Sequence, residues 1–293
     1  KPKLTKRDFS TILDLDLILN LDQRLYVERI NIRGNNQTFD EVIRREFSLS
    51  EGDAFNPIML RKTEEKLKAT GYFEKVSIRA IEGTSREKAI VNVDVIEAPT
   101  GSLNFGVGYS TDTNFTGSLS LSERNLLGRG QKLDLQLSTS KNSNSLSFSF
   151  VEPAFLKRDV SAGIKLNFRE TDPEESTYTS NSLSLSPSLG FIVGPDSKMT
   201  LSYEIENLEI FSENSPSQVL QNDDGKYFNS AINSVFVYDR RNSIIEPTSG
   251  YIVKLNNSLM GLGGDIGYVK TSAKTKFYKG FVDDKIVLSS ELE

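Results

Sequence analysis

The sequence predicts an α+β domain followed by an antiparallel transmembrane β-barrel, and three observations carry that prediction. Residues 25–98 mix two segments of helical periodicity with three extended ones. From Gly101 onward, segments of alternating apolar and polar residues recur to the end of the chain. No stretch has the apolar length of a membrane helix, since the greasiest, residues 13–21, is interrupted by Asp14, Asp16 and Asn20. Barrel strands need only about 9 to 11 residues of alternating polarity and leave the overall hydropathy low.

Composition narrows the chemistry. A net charge of -5 over 293 residues gives no support to a polyanion-binding surface, so nucleic acid is not expected as a partner. Cysteine and histidine are both absent. That removes disulfides, thiol nucleophiles, imidazole bases and the usual zinc ligands together. There is no P-loop either, and the chain is expected to be neither an enzyme nor a holder of a cofactor or metal. It starts at Lys1 without an initiator methionine or a signal peptide, which reads as an internal fragment.

Residues 1–24 read as the closing strand region of a preceding domain, with Leu13, Leu15, Leu17, Leu19 and Leu21 on one face. Residues 25–98 form a β-α-α-β-β unit. Residues 26–33 are strand-like, and Gly34, Asn35 and Asn36 supply a turn. Thr38 stands three residues before Glu41, the spacing of a capping box, and Phe39, Val42, Ile43 and Phe47 follow at helical intervals. The second helix has Asn56 as its cap, Pro57 at its first position and Gly71 at its end. Two strands follow, residues 73–81 and 89–96, with Val91, Val93 and Val95 facing one way. A three-stranded sheet covered on one side by two helices buries them.

In residues 101–293 about eleven alternating strands are expected. The first is a junction between the two patterns. Leu103, Phe105, Val107 and Tyr109 fall on one face, and Asn104, Gly106, Gly108 and Ser110 on the other. Two glycines inside a strand mark a bend or a close approach of another backbone. Short turns at 127–130, 194–196 and 283–284 alternate with longer polar loops at 171–177 and 213–226, the asymmetry of an outer-membrane barrel. The same alternation also fits a soluble antiparallel sheet with one wet face. The absence of Trp counts against an aromatic girdle, although tyrosines stand near many strand ends. Asp239 and Arg240 read as turn residues or lumenal contacts, and Asn222-Asp223-Asp224-Gly225 reads as a turn, since it lacks calcium-loop spacing.

A series of motifs in order carries a resemblance. Ile32-Arg33-Gly34-Asn35, Val42-Ile43-Arg44-Arg45-Glu46-Phe47, Glu51-Gly52 and Thr70-Gly71-Tyr72-Phe73 resemble a POTRA (polypeptide-transport-associated) domain, the last before a barrel. The segment from Gly101 to Tyr109, then Glu123-Arg124-Asn125-Leu126-Leu127-Gly128-Arg129-Gly130, Glu152-Pro153-Ala154-Phe155, and Tyr238-Asp239-Arg240-Arg241-Asn242 with Pro247-Thr248-Ser249-Gly250-Tyr251 follow. Together they are similar to the BamA family of outer-membrane β-barrel assembly proteins. The resemblance implies a sixteen-stranded barrel truncated here at about the eleventh strand, in the outer membrane, with the POTRA domain in the periplasm.

It also implies partners: nascent outer-membrane β-barrel proteins, assembly-machine lipoproteins and outer-membrane lipid. No catalytic residue or nucleotide is implied. Leu103, Asn104, Phe105, Gly106, Val107, Gly108 and Tyr109 are the candidate lateral seam where a client strand is templated. Arg44, Arg45 and Glu51 match the family segment that docks a lipoprotein, against the alternative of a solvated helix face. The competing functions are a TamA-like or two-partner-secretion pore of the same architecture, separable by the number of POTRA domains, and a soluble β-rich binding protein.

Overall fold

The structure, a computed structural model, describes residues 2–6, 13–17, 24–111, 114–172, 178–212, 217–282 and 284–293. An antiparallel pair opens the chain, β1 (Pro2–Lys6) with β2 (Leu13–Leu17). The leucine alternation expected to run to residue 21 is a described strand only to Leu17, and residues 18–21 lie outside the described residues.

The α+β unit follows: β3 (Tyr26–Arg33), α1 (Asp40–Arg44), α2 (Pro57–Thr70), β4 (Phe73–Glu82) and β5 (Lys88–Glu97). The sheet order is β3-β5-β4, with β3 parallel and β4 antiparallel to the central β5. Val91 and Val93 on β5 are fully buried against Ile43 of α1, Leu67 of α2 and Val27 of β3. Each such side chain contributes on the order of 2 kcal/mol of burial.

The second helix begins and ends as its sequence dictates. Asn56 Oδ1 accepts from the Ile58 N–H at 2.9 Å, and Gly71 takes left-handed backbone at φ 70. The first helix does not. The expected capping box between Thr38 and Glu41 is not formed, and the residue before α1 is Phe39, without a side-chain cap. Thr38 is instead committed elsewhere, as the site geometry below explains.

Eleven strands form one antiparallel meander: β6 (Gly101–Ser110), β7 (Asn114–Leu126), β8 (Gln131–Ser140), β9 (Ser143–Glu152), β10 (Val160–Thr171), β11 (Thr179–Gly194), β12 (Ser197–Phe211), β13 (Gly225–Asp239), β14 (Ser249–Met260), β15 (Tyr268–Phe281) and β16 (Ile286–Leu292). A short α3 (Gln218–Asn222) precedes β13. The expected turn at 222–225 follows it, with the Asp224 carboxylate accepting from the Ser212 N–H at 2.6 Å.

Register puts apolar residues in continuous rows: Leu135 opposite Phe148, Phe148 opposite Leu166, Leu166 opposite Leu185, and Leu185 opposite Ile205. The other face is polar, as in the hydrogen-bonded chain Ser147, Asn167 and Ser184. No second layer covers the apolar rows. Among the described residues of 101–293, Ala231 is the one buried apolar side chain. A sheet whose apolar face stands uncovered is built for lipid rather than for water. An aromatic edge completes it at the end nearest the α+β unit, where the tilted rings of Tyr238, Tyr251 and Phe277 follow one another at 6.0 Å.

Strand alternation places the β7–β8, β9–β10, β11–β12, β13–β14 and β15–β16 connections at the end where β6 begins. The short turns at 127–130, 194–196 and 283–284 sort to that end, and the loops at 171–177 and 213–226 to the other. Residues 173–177, 213–216 and 283 lie outside the described residues. The division of lengths is not strict, because the near-end β13–β14 connection spans 240–248 while the far-end β8–β9 connection is only 141–142.

Candidate functional site

Among the described residues the candidate seam strand β6 is an end strand of the sheet and pairs with β7, from Gly101 opposite Glu123 to Ser110 opposite Asn114. Leu103, Phe105, Val107 and Tyr109 share the apolar face and are 65–77% exposed. Tyr109 meets the Phe115 ring edge-on at 5.2 Å. The other face carries Asn104, Gly106 and Gly108. A Cβ on Gly106 would stand 2.6 Å from Ser118 Oγ, and one on Gly108 2.8 Å from Thr116 Oγ1. These glycines let β6 lie close over the hydroxyls of β7.

One end of β6 is held firmly. The link from β5 is only residues 98–100, and it is hydrogen-bonded on both sides: the Ala98 N–H donates to the Tyr72 carbonyl at 2.9 Å, and the Arg124 N–H to the Thr100 carbonyl at 3.3 Å. Glu97, the last residue of β5, accepts from three consecutive N–H groups, those of Asn36, Gln37 and Thr38, at 3.0, 3.0 and 2.6 Å. Burial pushes the Glu97 carboxyl up, but these hydrogen bonds outweigh it and hold the group below the usual carboxylate range.

The loop so fixed presses on the β7–β8 turn. Thr38 Oγ1 accepts from Asn125 Nδ2 at 2.8 Å, Asn125 Oδ1 accepts from the Gly130 N–H at 2.6 Å, and the Phe39 N–H donates to the Gly128 carbonyl at 2.9 Å. This is why Thr38 does not cap α1. The Tyr72 hydroxyl, its pKa raised by burial, donates to the Gly130 carbonyl at 3.3 Å. Gly128 has φ 73, and a Cβ there would lie 1.9 Å from the Gln37 carbonyl oxygen. The Glu123–Gly130 motif is therefore a socket for the α+β unit. Sequence reasoning found the motif but missed the contacts that Asn125, Thr38 and Glu97 make, because the partners are 59 and 87 residues away in the chain.

Arg44, Arg45 and Glu51 do not share one set of contacts. Arg44 bonds Asp40 at 2.7 Å and the Ile30 carbonyl at 3.0 Å, and it lies 3.6 Å from Glu51. Glu51 accepts from the Ile30 N–H at 3.0 Å. The two side chains therefore occupy the outer backbone groups of β3 while remaining 42% and 47% exposed. Arg45 turns to the socket instead, where its guanidinium lies 2.2 Å from where a Gly130 Cβ would stand. At the β13–β14 connection, Asp239 pairs with Arg241 at 2.6 Å, a partner that sequence reasoning missed, and Arg240 with Asp196 at 3.4 Å.

A family model described as "Omp85 superfamily domain" matches residues 125–293, more than half of the chain. The chain belongs to the Omp85 superfamily. A POTRA model described as "Surface antigen variable number repeat" matches residues 25–98 of this Omp85 chain. It is similar to the outer membrane protein assembly factor BamA of Nitratidesulfovibrio vulgaris, 28% identical over 91% of the chain and 34% of that relative. The BamA of Neisseria meningitidis serogroup B is 34% identical over 56% of the chain and 21% of that relative.

The Omp85 chain thus spans about a third of the length of the curated BamA relatives it matches. Among solved structures, BamA from Haemophilus ducreyi lacking POTRA domains 1-3 superposes with a TM-score of 0.66 at 21% identity, covering 99% of this chain and 59% of that one. CdiB from Acinetobacter baumannii gives 0.58 at 14% identity, covering 93% and 51%. The α+β unit is a POTRA domain in the periplasm, and the strands lie in the bacterial outer membrane. The soluble binding-protein alternative is thereby set aside.

Proposed function

We propose that this Omp85 chain folds and inserts outer-membrane β-barrel proteins, offering β6 as the template to which a client strand adds. The observation that carries the reading is the combination at β6: one end clamped to the POTRA domain, glycines that let it lie close over β7, and large apolar side chains aimed at lipid. A strand entering hydrocarbon must have every N–H and C=O paired, so an edge at membrane depth lowers the barrier to entry. No nucleotide and no catalytic residue takes part. The driving force is strand pairing and apolar burial.

A photo-cross-linker at Asn104 in the full-length protein is expected to capture a stalled client barrel in intact cells. Assembly that proceeds at a normal rate without any adduct at Asn104 or Gly106 would sink the seam role.

Lipoprotein docking is proposed for Arg44 and Glu51, which keep exposed charge beside α1, and not for Arg45, which faces the barrel. Glu51→Lys is expected to release a lipoprotein partner in co-purification while the POTRA domain stays folded, since this ion pair contributes no more than about 1 kcal/mol. Unchanged partner retention would return Arg44 and Glu51 to a purely structural part.

A further inference from the structure

Two turns on the POTRA side of the barrel combine features that client assembly does not use. Leu127, after β7, and Leu156, after β9, hold left-handed backbone at φ 53 and 55, which side chains other than glycine rarely adopt. Such residues persist where the surroundings over-determine them, and they cluster at functional positions. Both leucines point away from the protein, at 77% and 74% exposure, and Phe155 beside Leu156 is exposed as well.

Cations flank them. Arg129 stands two residues after Leu127, its guanidinium 5.9 Å from the Phe39 ring. Lys157 and Arg158 follow Leu156, and the Lys157 ion pair with Glu41 leaves the lysine side chain 82% exposed.

Depth is fixed by the register of the lipid-facing side. Its apolar rows end at Leu133 opposite Phe150, and the next pair outward is Gln131 with Glu152, hydrogen-bonded at 2.7 Å. The turns at 127–130 and 153–159 adjoin that polar pair, so they lie at headgroup depth.

We propose that these two turns bind the anionic phospholipid surface of the leaflet facing the POTRA domain. Leu127, Phe155 and Leu156 enter the acyl boundary, and Arg129, Lys157 and Arg158 pair with headgroup phosphates. Continuity with the lipid-facing rows and three cations against one carboxylate, Asp159, within the two turns favour lipid over a protein occupant. The inference rests on the membrane placement of the barrel and not on client assembly, so its test reads lipid contact alone.

Leu127→Cys and Leu156→Cys, each in a full-length protein without other cysteines, are labelled with a polarity-sensitive fluorophore and placed in phosphatidylethanolamine vesicles with or without phosphatidylglycerol. Val219→Cys, exposed on the opposite side of the membrane beyond β12, serves as the control, and heat-modifiable migration confirms folding. Phospholipids carrying a quencher near the headgroup are expected to quench both turn labels and spare the control, several-fold more strongly with phosphatidylglycerol present. Neutralising Arg129, Lys157 and Arg158 to Gln in the Leu156→Cys protein is expected to erase that dependence.

Aqueous iodide quenching of the turn labels equal to the control overturns the inference. So does lipid quenching indifferent to phosphatidylglycerol, or shielding that arises only when purified assembly partners are added.

Discussion

Gly128→Val is expected to unseat the POTRA domain from the barrel. The new Cβ would fall 1.9 Å from the Gln37 carbonyl oxygen, a backbone atom that cannot rotate aside, at a φ of 73 that a β-branched residue tolerates poorly. Left-handed strain of about 1–2 kcal/mol and overpacking of about 1–3 kcal/mol together exceed what the hydrogen bonds of Asn125 and Phe39 can hold. Limited proteolysis of the full-length protein should cut the 98–100 link much faster, while heat-modifiable migration shows the barrel still formed. Gly52→Val separates the two causes. Its φ is 95 but nothing lies within 4 Å of the added Cβ, so it carries strain without a clash and should leave the link protected. If Gly128→Val and Gly52→Val are cut equally, the socket is not what joins the two domains.

Glu97→Ala is the second large effect. It leaves three neighbouring N–H groups without their acceptor, and at this half-exposed position the loss is about 2 kcal/mol. The variant should free the 34–38 loop, seen as faster amide exchange at Asn36, Gln37 and Thr38. The pH dependence has a defined sign. The folded Glu97 pKa lies below its ordinary value, so the carboxylate's contribution is complete above about pH 4.3 and fades as pH falls through the folded pKa. Glu97→Gln should therefore lower stability above about pH 4.3 and converge with the parent at acid pH, flattening that part of the acid limb. A variant as acid-sensitive as the parent would mean that other groups set that limb.

How much was legible in the sequence follows from the range of the interactions. The alternation of Leu133, Leu135 and Leu137, or of Leu146, Phe148 and Phe150, is a period written into consecutive residues, and it marked strands that the structure contains. Asn56, Pro57 and Gly71 act within one turn of their own helix, so their meaning could be read on the spot. Thr38 and Glu41 had the same local spacing and misled, because a buried contact with Asn125 outweighs a solvent-exposed helix cap. Arg45 stands beside Arg44 in the chain, yet the two point to different neighbours, which a charge pattern alone cannot distinguish.

The meander carries a consequence for the order of folding. Every strand from β7 to β16 pairs with the strand just before it in the chain, so each pairing closes only a short loop and adds little to the contact order. β6, the first of these strands, has its start fixed from outside, through Glu97 and the 98–100 link. Growth of the sheet thus has a seeded end and a direction, from the POTRA-anchored strand toward β16. A protein proposed to seed the strands of others carries, in the same residues, the seed for its own.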